Sequence, residues 1–409
     1  MMQGAETKQD AGILRKLVTI GLLVIVLIAP TQYSFEVRDK TYLSIVDPLL
    51  WLVCLLWLVD LVKSRTLLSV KPPPLVTILF VVAAFLSIAK AGNRFASLKD
   101  IFQILEYFAV AFLLFTSVIK DCRQLKMVLY GFLGTATAVV GLGLLQYLSS
   151  GTETFMVGST FGNRNVLGGY LSLVLPLMFG LMLFESRWSR RIWYALTIMA
   201  GAVVTLSGGT AIALVLSLCI VSVLKSQRAF VMLLVVLSLG MATVLSHLPR
   251  ENGRALRESI SMFDDEGELS KRYPEWQAGV AMIREHPLLG VGIGNYQANI
   301  GLHYGTVPNR PVAAEADSQN MYLVLASSMG LPGLACFLGM LFLFARNAVR
   351  SYFDSGSSQI QRGLALGLLG SLIAFSINCI WSPLLVRGIG IPLALVFSLT
   401  IVLERMRNH

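Results

Sequence analysis

Apolar residues along the chain gather into twelve blocks, at about 17–33, 42–62, 74–89, 101–119, 127–148, 165–184, 192–207, 209–224, 229–248, 321–344, 363–380 and 388–403, separated by polar stretches. Most approach the roughly 20 apolar residues that an α-helix needs to cross a bilayer core. Lipid offers no partner to backbone N–H and C=O groups, so such blocks span as helices rather than as open strands. The pattern predicts an all-α polytopic membrane protein with about twelve transmembrane helices. It divides the chain into spans 1–9 within residues 1–248, one long polar segment at 249–320, and spans 10–12 within 321–409.

Composition serves mainly to exclude alternatives. Hydrophobic residues make up 55% of the 409, charged residues only 14%, and the mean hydropathy is +0.71. A soluble domain carries about 25% charged residues, so an ordinary soluble enzyme and a disordered chain are both excluded. The net charge of +10 raises the question of nucleic acid, but Lys and Arg sit in short loops between apolar blocks and form no patch. They read as topology signals, with no nucleic-acid partner. Nineteen fall in segments that an even span count puts on one side, Arg15, Lys63, Arg187 and Arg405 among them, against seven in the opposite short loops. The positive-inside rule then makes both termini cytoplasmic and the long segment external. The first block follows Arg15 and Lys16 and continues into Ala29-Pro30-Thr31 without a small-x-small cleavage site, which predicts an uncleaved anchor.

The external segment holds seven basic residues and ten carboxylates, so it is mixed in sign. Within it, Trp276, Val280 and Ile283 recur at helical spacing over 275–285, predicting an amphipathic helix on the membrane surface that ends at Pro287. Cys54, Cys219, Cys336 and Cys379 fall inside blocks and Cys122 in an inner loop, which predicts no disulfide framework. His247, His286, His303 and His409 lack zinc-ligand spacing, so no metal site is expected.

Three external turns open helices that run inward: Gly162-Asn163-Arg164-Asn165, Ser207-Gly208-Gly209-Thr210 and Asp317-Ser318-Gln319-Asn320. Helix N-termini present unpaired N–H groups and partial positive charge, so their convergence would favour an anion such as a pyrophosphate. The plainer reading is that the Asn, Ser and Thr residues are N-caps. The run from Arg284 and His286 through Gly290-Val291-Gly292-Ile293-Gly294-Asn295-Tyr296 follows no strand, so a dinucleotide-binding reading fails. It is either a turn returning the surface helix to the membrane or a glycine backbone lining a glycan or phosphate site.

Taken in order, Gly162-Asn163-x-Asn165, Arg272-x-x-x-Trp276, His286-Pro287-x-x-Gly290-Val291-Gly292-x-Gly294-Asn295-Tyr296, Asn320-x-Tyr322-Leu323 and Gly330-x-x-Gly333-Leu334 resemble the O-antigen ligase/polymerase family. The resemblance covers about 160–335; the first five spans match in hydropathy alone. It implies a GT-C-like glycosyltransferase of the bacterial inner membrane, working without metal, nucleotide sugar or other cofactor. The implied donor is an undecaprenyl-diphosphate-linked glycan, the acceptor a glycan or lipid-linked molecule, and the surroundings membrane lipids. Such chemistry needs cations to stabilise the departing diphosphate and a group to take the proton of the attacking hydroxyl. Arg272 is the first candidate for the cation, because guanidinium binds phosphate bidentately, with Arg284 and Arg164 behind it. Asn163, Asn165, His286, Gly292, Gly294, Asn295, Gln319 and Asn320 are the further candidates for substrate binding.

The chain departs from that family at two positions. Gln319-Asn320 stands where the family usually has His-Asn, and Ser207-Gly208-Gly209 where it often has Ser-Arg-Gly. A glutamine amide is no general base near neutral pH. Asp317 is the preferred substitute, with Glu315, His303 and His286 as others; alternatively an early-departing diphosphate needs no strong base, or the chain no longer catalyses transfer. A transporter or non-catalytic assembly protein on the same scaffold is thus the second reading. Few ionisable residues lie in the blocks beyond Asp47, Asp60 and Glu106, which counts against an ion pathway. Arg387, with Trp381 and Pro383 nearby, reads as an interfacial anchor or as reaching a lipid phosphate, anchoring being the plainer reading.

Overall fold

A computed structural model describes residues 2–31, 34–38, 41–67, 70–149, 157–205, 207–247, 268–304, 319–386 and 388–407. The chain opens with α1 (Met2–Ile28) and a short antiparallel hairpin of β1 (Ser34–Arg38) and β2 (Thr41–Ser44). The hairpin is a departure from the all-helical expectation. Its second strand takes the first three residues assigned to the second span, Tyr42, Leu43 and Ser44, and Thr41 and Tyr42 are strand-favouring residue types. There follow α2 (Val46–Lys63), α3 (Leu75–Ser87), α4 (Arg94–Leu105), a π-helical turn (Glu106–Ala111), α5 (Phe112–Val118), α6 (Cys122–Ser149), α7 (Arg164–Met182), α8 (Trp188–Val204), α9 (Gly208–Lys225) and α10 (Gln227–His247). The remainder comprises α11 (Glu268–Glu285), α12 (Tyr296–Tyr304), α13 (Met321–Phe353), α14 (Gln359–Asn378) and α15 (Gly390–Arg407).

A helix lies at each of the twelve apolar blocks. Among the described residues, six helical stretches are long and apolar enough to cross a membrane: Arg94–Val118, Cys122–Ser149, Arg164–Met182, Gly208–Lys225, Met321–Phe353 and Gln359–Asn378. Helices α2 and α15 also reach 18 residues, but each carries charge, Asp47, Asp60 and Lys63 in the first and Glu404, Arg405 and Arg407 in the second. Large apolar side chains are exposed along outer helices, for example Leu55, Leu145, Met199, Met232 and Val236. Water would penalise such exposure, whereas hydrocarbon does not, so these faces suit a lipid environment.

The centre of the bundle is α14, packed on α7, α9, α13 and α15. Small residues let its backbone approach closely: a Cβ at Gly180 on α7 would lie 2.4 Å from the Cα of Gly367. Hydroxyls and an amide tie the same helices together. Ser371 Oγ donates to the Leu173 carbonyl at 2.5 Å, Ser217 Oγ to the Gly370 carbonyl at 2.6 Å, and Asn378 Nδ2 to Ser172 Oγ at 3.0 Å. Each such bond contributes about 0.6 kcal/mol in a bilayer, so dense packing matters more than any one of them.

The two ends of the bundle differ in chemistry. At one end Arg15 pairs with Asp60 at 3.3 Å, Arg190 with Glu185 at 3.3 Å, the Lys225 ammonium lies over the Phe184 ring, and Arg405 donates to the Thr116 and Ile119 carbonyls. Burial raises the Glu185 pKa, but the Arg187 backbone amide and the Arg190 guanidinium outweigh it and hold the carboxyl below its usual range. Every one of these cations comes from a segment that the charge rule puts inside. The other end carries the turns singled out as chemical.

The surface-helix expectation is corrected in one respect. Helix α11 packs on α13 with Ala278 and Met282 fully buried and Val280 exposed, so its covered face is not the Trp276–Val280–Ile283 stripe. Ser327 Oγ donates to the Gly279 carbonyl at 3.2 Å across that contact. Small residues on both helices favour protein over lipid as the partner here.

Candidate functional site

Three separated parts of the sequence meet at the segment 378–389. Met321, the first residue of α13, donates its backbone N–H to the Cys379 carbonyl at 2.8 Å. Helix α9 begins against the same segment: a Cβ at Gly209 would meet Cγ of Trp381 at 2.4 Å, and Thr210 Oγ1 donates to Asn378 Oδ1 at 3.3 Å. Helix α7 joins one turn past its start, where Gly168 abuts Thr210 and Gly169 abuts Leu384 and Ile389. The N-terminal turns of α7, α9 and α13 therefore meet at one locus. Arg272 of α11 reaches it as well, donating from Nη1 to the Trp381 carbonyl at 2.9 Å, while the Trp276 and Trp381 rings lie 6.5 Å apart.

The helix starts themselves differ. Asn163 Oδ1 accepts from Asn165 N and Val166 N, and Asn320 Oδ1 accepts from Tyr322 N and Leu323 N, so both are N-caps. With Met321 N bonded to Cys379, the first turn of α13 is satisfied by protein. Ser207 makes no capping bond with its side chain, and the Trp381 ring packs against this helix start. Among the described residues, Trp381 Nε1 and Ser382 Oγ have no hydrogen-bond partner, as is also true of Tyr170 Oη, Ser222 Oγ and Ser351 Oγ elsewhere in the bundle, and Ser382 is only 2% exposed. A buried donor left unmade costs roughly 1–3 kcal/mol, so native structures rarely keep two together without a ligand or water.

The glycine-rich run does something else. Gly292 and Gly294 adopt φ of +90° and +78°, and a Cβ on either would strike backbone at Ala91 or Ala96, within 2.7 Å. Ile293 N donates to Ser87 Oγ at 3.1 Å and Ser97 Oγ to the Ile293 carbonyl at 2.6 Å. Asn295, 2% exposed, accepts from Asn93 N at 2.7 Å and donates to Ser97 Oγ, Asn93 O and Ile293 O. On the other flank Val291 N bonds the Ser327 carbonyl, beside the break in α13 at Gly330. The run is thus a latch that clips the α3–α4 junction to the break in α13. Gly292 and Asn295 thus meet protein, while Gly294 also lines the cavity described next.

Below the latch lies a cavity of about 350 Å³. One wall is a face of α4 and the π-helical turn, with Asp100, Gln103, Ile104 and Tyr107; another is the start of α13, with Met321, Val324, Leu325 and Ser328. Gly294, Tyr296 and Gln297 close the top, and Pro383, Leu385 and Val386 continue from the Trp381–Ser382 locus. Glu106, 1% exposed in the π-helical turn, accepts from Trp51 Nε1 at 2.8 Å, which gives this buried carboxylate a partner.

The remaining candidates fall as follows. Arg164 and Asn165 are half-buried in the first turn of α7, Gln319 is half-buried with φ +47° immediately before α13, and Arg284 and His286 are exposed at the end of α11. His303 has both ring nitrogens engaged, Nε2 with Glu285 and Nδ1 with the Asn299 carbonyl, each at 3.1 Å. Asp317, Glu315 and Arg387 lie outside the described residues. Sequence reasoning missed Asp100 and Gln103, and gave Trp381 only an anchoring role. The one available signal was Trp-Ser-Pro breaking an otherwise apolar hairpin between two spans. Among the described residues no group of three or more His, Cys, Asp and Glu is placed to hold a metal.

No curated protein matches the chain. The family described as O-antigen ligase (Wzy_C) matches residues 193–338, a stretch that includes the start of α9, Arg272, the glycine latch and the first half of α13. The match supports a role in surface polysaccharide assembly for this membrane protein. That central region, from α8 into α13, is similar to the O-antigen ligase family.

Proposed function

We propose that the protein is a glycosyltransferase of the bacterial inner membrane that moves a glycan from an undecaprenyl-diphosphate carrier to an acceptor at the external end of the bundle. On this reading twelve helices span the membrane, both termini are cytoplasmic, and the site faces outward. The observation that carries it is the pair of buried donors Trp381 Nε1 and Ser382 Oγ, without described partners, on a segment whose Trp381 ring packs against the start of α9 and whose Trp381 carbonyl accepts from Arg272. A diphosphate suits this cluster. It supplies acceptor oxygens for the two unpartnered donors and negative charge for the guanidinium and the helix N-terminus. The bond from Arg272 to the Trp381 carbonyl fixes where that charge sits before substrate arrives, and prepositioned charge stabilises a leaving group without reorganisation.

The test is Arg272→Ala expressed in a host lacking the native gene, with surface and carrier-linked glycans profiled. Loss of surface glycan with normal amounts of protein in the membrane is expected. A wild-type glycan profile would exclude transfer through this cluster and favour a non-catalytic assembly protein. The accumulating intermediate also separates two activities: long unattached polymers indicate a ligase, and single repeat units a polymerase.

A further inference from the structure

Gln319 cannot take a proton from an attacking hydroxyl, so a transferase at this site that uses a general base draws a carboxylate or imidazole from elsewhere. The cavity under the glycine latch holds one carboxylate among its described lining residues, Asp100. We propose that this cavity holds the acceptor sugar and that Asp100 accepts the proton of its attacking hydroxyl. The inference rests on the transferase reading and adds to it the acceptor site and the base.

Three observations converge on it. Position comes first: Ser97, Asp100 and Ile104 share one face of α4, and the Ser97 hydroxyl is locked to the Ile293 carbonyl, so the latch fixes the rotation of the helix that carries Asp100. The facing wall, Met321, Val324, Leu325 and Ser328, begins two residues after Gln319. Asp100 thus lines a cavity whose α13 wall starts close in sequence to the residue that cannot serve.

Composition comes second. The rings of Tyr107, Phe108 and Tyr296 offer apolar faces, while Gln103, Gln297 and Ser328 offer hydrogen bonds. Gln103 Nε2 donates to the Tyr107 hydroxyl at 2.6 Å, which holds both side chains in place. A sugar ring presents both an apolar face and hydroxyls, and about 350 Å³ is within the range of small-ligand sites. Continuity comes third, because Pro383 lines this cavity and directly follows Ser382 of the anion cluster. An acceptor in the cavity and a diphosphate at the cluster would be neighbours.

The step balances simply. The acceptor oxygen bonds to the anomeric carbon, the bond from that carbon to the diphosphate oxygen breaks, and the diphosphate leaves with the electron pair. The hydroxyl proton passes to an Asp100 carboxylate oxygen and from there to water.

The experiment measures transfer by the full-length protein in membranes, using as donor the carrier-linked glycan extracted from a gene-deleted host, as a function of pH. Wild type, Asp100→Asn, Asp100→Glu and Asp317→Asn are compared at equal membrane content. Asp100→Asn is expected to lower turnover at least about 100-fold, leave the donor KM unchanged and remove the fall in rate toward acid pH. Asp100→Glu is expected to keep a measurable rate and that acid limb. Wild-type turnover in Asp100→Asn, or loss of the acid limb in Asp317→Asn instead, would overturn Asp100 as the base while leaving the transferase standing. Absence of transfer by the wild-type protein would overturn both.

Discussion

The glycine latch at 290–295 and the Trp381–Ser382 segment are both loops at the end of the bundle opposite Arg15, Arg190 and Arg405, and they exchange the roles that their sequences suggest. The latch has the appearance of a ligand loop, with three glycines and an asparagine. In the fold its glycines press on backbone and every polar atom of the Asn295 amide is bonded to protein. Trp381-Ser382-Pro383 has the appearance of an interfacial anchor, yet it keeps two buried donors without described partners and ties down Arg272. Buried polar groups in a structural loop are satisfied internally; at a binding site some wait for a ligand. What separates the two loops is whether the hydrogen-bond accounts close, and residue type does not reveal it.

That contrast predicts different failures on mutation. The largest effect belongs to Arg272→Ala, expected to lower transfer by about 10²–10³-fold, the scale of losing one prepositioned charge on a leaving group. Arg272→Lys should recover little, since a point charge lacks the planar fork. Quantifying the transferred glycan at matched protein levels checks both, and full activity in either would remove the cluster from the chemistry. Gly294→Val follows. Its Cβ would meet the Ala96 carbonyl at 2.7 Å, at a φ that valine rarely adopts, so the latch cannot close. Little folded protein in the membrane is the expected outcome, and a stable, inactive Gly294→Val protein would instead return the glycine to the ligand-binding list.

These same residues mark how far the sequence could be read. Helix positions were legible because the bilayer forces apolar blocks of fixed length, and a helix stands at each of the twelve. Arg272 and the three external turns could be picked out because charge and capping residues are scarce in an apolar chain. The buried face of α11 was not legible. Ala278 and Met282 are covered because small residues on α13 invite close approach, and hydropathy ranks Val280 above alanine regardless. Asp100 was equally hidden: an aspartate near a span end reads as an interfacial charge until the cavity around it is seen. Ser382 is the extreme case, since whether a serine has a partner is a property of the fold alone.

Asn295→Ala tests the latch side of the contrast more gently. The amide bridges Asn93 and Ser97 while buried, so its loss leaves several groups unpaired and should cost about 1–3 kcal/mol of stability. Thermal unfolding in detergent should shift downward, with the donor KM unchanged for the protein that remains folded. A raised KM at unaltered stability would mean that the latch contacts substrate after all.

Ser382→Ala gives the smallest and most discriminating effect. Removing a hydroxyl that has a partner destabilises a protein, whereas removing one that lacks a partner relieves a desolvation penalty. If Ser382 Oγ awaits a ligand oxygen, the alanine variant should melt at or above the wild-type temperature and yet transfer glycan about 10-fold more slowly, as one lost hydrogen bond to a charged group of about 1.5 kcal/mol implies. Stability and activity then move in opposite directions, which a merely structural serine does not produce. Asn295→Ala provides the internal control, because there stability falls while substrate affinity holds. Should Ser382→Ala lose stability along with activity, the hydroxyl has a protein partner and the two loops are alike.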